Sequence, residues 1–372
     1  VRIRRGSILI YRVFDIGEEI NLPRVVDLLK AEQSPFRLRV AQGKGTNAVI
    51  IKNAPIRLTL GEATLTLGEA PVKCEVIGTI WDYGAFSVSF QVPLAEGADW
   101  ESLKRAAAAL TNDQKLAADI DDLARERLGQ IQKLIRPAIQ RPNLWEVSED
   151  YVIYFLEAIE GVYSGAELLE KADLAALLLG ELGGEFGGSL APRTREAILQ
   201  NVHQYASNDL VLIDWNSAVV LEPTGSRDIP DVLEFALSHL LEVRYYDDLL
   251  DNRLGELYDA VERGRQRLFG NPFAGVAKDS NTRYLEFSEF VERVDNSLKV
   301  VGDFYLATIF RLAMKRFRIL DWQQSITRKM NMLARVSELL QGEVNVLRGH
   351  LLEIVIIVLI LFEILSAMWK SG

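Results

Sequence analysis

One cysteine in 372 residues, Cys74, leaves no partner for an intrachain disulfide. That excludes a disulfide-stapled scaffold and fits a reducing compartment. The three histidines, His203, His239 and His350, fall far apart on what read as three helical elements, so no zinc-ligand spacing exists. Basic residues are outnumbered, 42 Lys and Arg against 52 Asp and Glu, for a formal net charge of −10. A protein that coats a phosphate backbone carries the opposite balance, which argues against direct nucleic-acid binding. No Gly-x-Ser-x-Gly elbow offers a serine nucleophile. Glycine, at 26, is too scarce for a collagenous chain. Val1-Arg2-Ile3-Arg4-Arg5 is basic, but Ser7–Tyr11 is too short for the core of a cleavable signal and reads as a strand.

Hydrophobic residues make up 49% and charged residues 25%, which is globular usage, and the length allows two or three folded units. The chain reads as α+β: a mixed α/β head, then long C-terminal helices, then a terminal transmembrane helix. Residues 1–95 form a first α+β half of the head, with strands at Ile8–Phe14, Val72–Ile80 and Ala85–Val92, β-like pieces at Ala48–Lys52 and Ile56–Leu60 and a helix at Pro23–Lys30. Residues 96–145 read as a helical insert ended by Pro137 and Pro142. A second half, 146–228, has a strand at Tyr151–Ala158, helices at Ala166–Leu179 and Pro192–Ala206, and strands at Asp209–Asp214 and Ala218–Leu221. The two halves allow a duplicated unit.

Residues 229–350 read as a helical stalk. A helix starts after Asp228-Ile229-Pro230 and gives way to a linker marked by Gly264, Gly270, Asn271-Pro272 and Gly275. From Phe287 to Leu347 a 4-3 spacing runs without slipping, and fourteen of its eighteen positions are apolar. An intrachain hairpin and an intermolecular coiled coil both satisfy it, with a hairpin at the base and self-association nearer the end as the favoured mixture. A break is expected near Gly302 or Gly342.

Thirteen of the nineteen residues from Leu351 to Trp369 are Leu, Ile, Val or Phe, and a bilayer span needs roughly 17–25 apolar residues. Those side chains favour insertion by roughly 4–8 kcal/mol, against roughly 2.5–3.5 kcal/mol for a central charge. Glu353 lies close to the entry edge, whereas Glu363 is deeper and costs more. Leu351, Glu353, Ile357, Phe362, Glu363 and Trp369 mark the expected anchor. A buried helix of a soluble oligomer is the alternative, since the uninterrupted run Ile354–Phe362 is short. Only Lys370-Ser371-Gly372 follow, which favours a tail anchor. Arg328, Lys329, Arg335 and Arg348 precede the span and Lys370 follows it, so the head is expected on the cytoplasmic side of a bacterial inner membrane, or in the matrix of a mitochondrion.

The sharpest chemical motif is Asp247-Asp248-Leu249-Leu250-Asp251. Asp247 and Asp251 share a helical face and, with Asp248, could hold Mg²⁺ bridged to a diphosphate. Such sites need a second acidic cluster, and Asp295-Asn296 with Asp303 is poorly spaced for it. A solvated helix face explains the triad as well. Gly43-Lys44-Gly45-Thr46 lacks the first glycine of a phosphate loop and precedes a strand, so it reads as a turn. The Gly183–Gly188 cluster reads as a loop. Asp214-Trp215-Asn216 reads as a tight strand connection, and Lys315-Arg316-Phe317-Arg318 as charged heptad positions or a juxtamembrane or RNA-contacting patch.

Four stretches resemble the Required for Meiotic Nuclear Division family (domain of unknown function 155). They are ILIYRVFDIGEEINLPRVVDLL at Ile8–Leu29, VIGTIWDYGAFSVSFQV at Val76–Val92, LLEVRYYDDLLDNRLGELYDAV at Leu240–Val261, and the stalk with LLEIVIIVLILFEIL. The second has Phe86 and Phe90 where that family pairs Phe with Trp. The resemblance implies a C-terminally anchored protein that tethers or assembles others, with no catalytic residues to carry over.

The leading expectation is a non-enzymatic, membrane-anchored scaffold or assembly factor, without cofactor, that meets the lipid bilayer, copies of itself and a protein partner. A Mg²⁺-dependent enzyme acting on phosphorylated or lipid substrates through Asp247, Asp248 and Asp251 is one alternative. A ligand-sensing head is another, and a pocket with convergent polar groups in the head would favour it over a plain scaffold.

Overall fold

The computed structural model describes residues 1–30, 36–37, 54–67, 70–142, 145–182, 190–264, 285, 288–289, 292 and 304–370. Chain contacts divide it into two units, Val1–Tyr245 with Arg293–Leu320, and Tyr246–Glu292 with Asp321–Gly372.

The first unit is built on β1 (Arg2–Asp15). It pairs antiparallel with β6 (Ala85–Pro93) on one side and with β9 (Ser148–Ile159) on the other. Beyond β6 lie β5 (Ala70–Ile80), β4 (Ile56–Leu67) and the short β3 (Phe36–Arg37). Beyond β9 lie β12 (Ser217–Leu221), β11 (Leu210–Ile213) and β10 (Val202–His203). β7 (Ala98–Asp99) pairs with the start of β1, and β2 (Gly17–Ile20) with β8 (Ile139–Pro142) in a separate ribbon. Among the described strands every pairing is antiparallel except β9 with β12.

Strand alternation sends successive side chains to opposite faces. Ile8, Ile10 and Phe14 of β1, with Phe86, Val88 and Phe90 of β6, enter one hydrophobic core. It is closed by α1 (Leu22–Leu29), α2 (Trp100–Asn112), α3 (Gln114–Ile135), α4 (Gly165–Lys171) and α5 (Leu174–Leu179), with α6 (Pro192–Leu199) alongside. Trp100, Leu103, Ile120, Leu128 and Ile135 are buried there, so α2 and α3 cover this face of the sheet. On the opposite face, Leu9, Tyr11 and Val13 are buried outside that core. That face meets α7 (Asp228–Gly264) and α8 (Phe304–Arg316): Tyr83 beside β6 bonds Ser238 of α7, and Tyr151 of β9 stacks edge-on against Phe317 just past α8.

Several sequence expectations need correction. The helix expected at Ala166–Leu179 is two, because Ala172 leaves the helical conformation and the Asp173 carboxylate caps a new start at Leu174 by accepting from the Ala176 N–H. The helix expected to reach Ala206 ends at Leu199, and His203 sits in β10. The two halves are not copies, since β1 meets β6 antiparallel whereas β9 meets β12 in parallel. The seam from Phe287 is cut at Phe317-Arg318, where Arg318 adopts a left-handed φ of 56°. No break occurs at Gly342, which lies inside α9 (Ile319–Lys370). Ala48–Lys52, Gly43–Thr46, Gly183–Gly188, Gly302, Asp295, Asn296 and Asp303 fall outside the described residues.

In the second unit Lys329 of α9 reaches Asp247 and Asp251 of α7, so one hairpin contact within the chain is present. α9 carries the apolar C-terminal segment. Among the described residues no helix is long and apolar enough to cross a membrane. The apolar side chains described there, from Leu352 to Phe362, extend roughly 17 Å at 1.5 Å per residue, against a hydrocarbon core of ~30 Å.

Gly84 turns β5 into β6 with a φ of 102°, and a Cβ there would lie 1.6 Å from the Gly17 carbonyl oxygen. Gly84→Ala is expected to cost roughly 2–3 kcal/mol in urea unfolding. Gly97→Ala, at φ 80° with open space around it, should cost clearly less. Equal losses would contradict the close approach.

Candidate functional site

The second face of the sheet is polar where a plain sandwich would be greasy. Ser87, Ser89 and Thr79 are buried on it, and α7 sets Asp231, Glu234, Ser238 and Glu242 along its inward side at helical spacing, all buried. Buried polar groups need partners. Ser87 donates to Glu234, and Arg57 of β4 reaches Asp231 at 2.5 Å and Glu234 at 3.1 Å. Two carboxylates thus share one guanidinium. Burial pushes the Asp231 carboxyl up to about 6, with Glu234 adding to the rise against the pull of Arg57. Tyr83 and Ser238 hydroxyls lie 2.6 Å apart, and His239 bonds the Phe235 carbonyl through Nδ1. Burial lowers the His239 pKa to about 4, so the ring is neutral at pH 7. At the other end, Arg244 of α7 donates to Glu149 of β9 at 2.5 Å. Burial outweighs that attraction and lifts Glu149 to about 7.

Asp231 also lines a cleft of about 700 Å³ at the start of α7. Asp209, Glu222, Arg227 and Asp228 bring charge to it, and Tyr205 with Tyr305 of α8 forms an aromatic pair with centroids 5.2 Å apart. Asp209 accepts from the N–H groups of Tyr205 and Ala206, which fixes the loop that displays Tyr205. Arg227 lies over the Phe155 ring at 4.4 Å and donates to Ser7. A pocket of this size suits a small organic molecule.

The carboxylates singled out in the sequence lie elsewhere, in the second unit. Lys329 is 2.9 Å from Asp247 and 2.6 Å from Asp251, so an ammonium stands between the pair that would hold Mg²⁺. Asp248 lies within bonding range of Asn252 instead. Among the described residues no group of three His, Cys, Asp or Glu side chains comes together as metal ligands. Asp214 is buried and paired with Arg316, and its carbonyl, with that of Ser217, takes the Tyr151 hydroxyl, which makes the Asp214-Trp215-Asn216 turn a structural tie. Sequence reasoning missed Arg57, Asp231 and Glu234. The signal was there: two acids three residues apart interrupt the apolar face of α7.

A family model described as "Uncharacterized protein MJ0711, N-terminal domain" matches residues 5–227. The chain belongs to that family. The family domain takes in most of β1 and all later strands, and stops one residue short of α7. In the curated protein of that name from Methanocaldococcus jannaschii, 24% of 174 residues are identical, over 46% of this chain. The chain spans about half the length of that relative, 53%. No solved structure matches.

Arg57→Met leaves two buried acids facing each other and is expected to cost roughly 3–5 kcal/mol in urea unfolding, as a broken buried pair does. Glu234→Gln added to it should recover part of that loss, and a cost under ~1 kcal/mol for the single variant would contradict the shared pairing. Glu149 gives a pH test. Between its ordinary 4.5 and about 7 the folded protein keeps a proton that the unfolded chain has lost, so this group's contribution to stability falls as pH rises through that window. Glu149→Gln should flatten the fall by up to roughly 3 kcal/mol. Unchanged pH slopes in paired melts at pH 5 and 8 would count against it.

Proposed function

We propose that this protein is a membrane-associated binding protein, with its C-terminal segment seated in a lipid bilayer and its sheet domain holding a small ligand. The observation that carries the membrane part is the uniform exposure of an apolar helix. The residues Ile354–Phe362 follow one another without a polar member, and each is 44–69% exposed. At 3.6 residues per turn they clothe the whole circumference. A helix apolar on every side needs an apolar medium, because no orientation against one neighbour hides it. The sequence continues with Ile364, Leu365, Ala367 and Met368, which carries the segment from Leu351 to Trp369, ~28 Å as a helix. Glu353 at the near edge suits the headgroup region. The resemblance to the Required for Meiotic Nuclear Division family points the same way, toward an anchored tether.

The cleft in the sheet domain favours ligand sensing over a plain scaffold. Convergent charged groups beside an aromatic pair are more than a passive tether needs. Self-association through the helices belongs to the same proposal, since the coiled-coil spacing continues through Val336, Leu340 and Leu347, beyond Ile319, Ile326 and Leu333, which are buried within the chain.

Flotation with liposomes tests the bilayer part. The full chain should rise with the vesicles and resist alkaline carbonate. Ile357→Lys, which places a charge mid-segment at a cost of roughly 2.5–3.5 kcal/mol, should weaken that association. A full chain that stays soluble without detergent and fails to float overturns the proposal.

A further inference from the structure

We infer that the sheet domain carries a membrane contact of its own: the turn between β11 and β12, with the end of α8 beside it, docks on the headgroups of an anionic lipid bilayer. This contact does not depend on the apolar C-terminal segment and goes beyond it. It starts from a tryptophan left in water. Trp215, at the centre of the Asp214-Trp215-Asn216 turn, is 66% exposed. The turn that carries it is tied down by its neighbours. The Asp214 N–H donates to the Ser217 carbonyl, and the Asn216 carbonyl accepts from the Val152 N–H of β9. The Tyr151 hydroxyl lies 2.9 Å from the Asp214 carbonyl oxygen and 2.8 Å from that of Ser217. The Asp214 carboxylate is buried and paired with Arg316. An indole contributes to a fold by leaving water, and this one does not. A rigid backbone that presents it lowers the ordering cost of inserting it elsewhere.

The ion pair that fixes the turn also brings cations beside it. Arg316 is the last residue of α8, and Arg318, at a left-handed φ of 56°, leads the chain into α9. Lys315 and Arg318, on either side of this joint, are exposed, and Leu320 is 59% exposed. The acids close by are engaged: Asp214 with Arg316, and Asp321, next after Leu320, with a group of its own chain. An indole and a leucine among lysine and arginine side chains match the layering of a bilayer surface. Apolar groups enter the interfacial zone, while ammonium and guanidinium groups stay with the phosphates.

Basic and aromatic side chains also mix on RNA-binding surfaces. There, successive bases stack on several rings along a basic groove. Here Phe317, the other ring of the joint, is buried against Tyr151 and not offered to a base. The apolar side chain exposed in its place is the aliphatic Leu320, which suits acyl chains, and the whole chain carries a net charge of −10.

Adding the full chain to vesicles of brominated phosphatidylcholine, with or without phosphatidylglycerol, tests this. Bromine quenches an indole only at close range. The difference between the parent and Trp215→Gln isolates the Trp215 emission from that of the other tryptophans, Trp369 of the C-terminal segment among them. That emission should fall by roughly half or more on the phosphatidylglycerol vesicles, fall far less without it, and recover as NaCl rises. Lys315→Glu should cut the quenching about twofold or more at unchanged melting temperature. If the chain floats with the vesicles while bromine leaves Trp215 untouched, the docking inference is wrong and the C-terminal anchor stands. If the chain binds anionic vesicles alone, reversibly with salt, and Trp215→Gln abolishes the binding, the anchor falls and the docking surface stands. Equal quenching on both kinds of vesicle, insensitive to Lys315→Glu, overturns the headgroup chemistry. If single-stranded oligouridylate shifts the Trp215 emission and anionic vesicles do not, the surface belongs to RNA and the lipid assignment is overturned.

Discussion

From Ser7 to Asp15, β1 has no solvent-facing side. It is hydrogen-bonded along both edges and covered on both faces, so each polar atom near it must find a partner within the protein. On the first face the answer is apolar, apart from Arg12, which reaches out to Asp121 of α3. On the second face α7 supplies the Glu234 carboxylate to Ser87 and the Ser238 hydroxyl to Tyr83. Hydrophobic contact alone would let a helix slide along such a surface. Arg57 between Asp231 and Glu234, Tyr83 at Ser238 and Arg244 at Glu149 pin it at three levels. Ion pairs and hydrogen bonds add little net free energy to a fold but make misplacement costly.

That pinning sets up the cleft. The first turn of α7 carries Asp228 and Asp231, and Asp231 faces both the Arg57 cluster and the cavity wall. Any shift of α7 that breaks the cluster also moves an acid lining the cleft. The family domain ends at Arg227, so the helix that completes its second face comes from the following segment.

The strands were legible in their central parts: Ile8–Phe14 and Ala85–Val92 lie within β1 and β6, although β1 starts earlier, at Arg2. The long helix from Asp228 was equally plain. Illegible were the features that depend on distant chain. Ala166–Leu179 has a continuous helical composition, and only the cap by Asp173 divides it. The role of α2 and α3 as cover could not be told from that of an insert, since amphipathic helices look alike until something packs on them. The acidic triad at Asp247–Asp251 drew attention by spacing, whereas its partner Lys329 lies far along the chain. The cleft joins residues from three separate stretches, none of them a motif.

The register of β1 against β9 also dictates an order of events. Tyr11 lies opposite Tyr151, and Phe14 opposite Ser148. During synthesis β6 can pair with β1 while the other edge of β1 waits, unpaired, until β9 leaves the ribosome. An exposed strand edge of that kind invites pairing with a neighbouring chain, and such distant pairings form slowly. The nascent protein therefore passes through a window in which a chaperone, or a slow ribosome, decides between the native sheet and an aggregate.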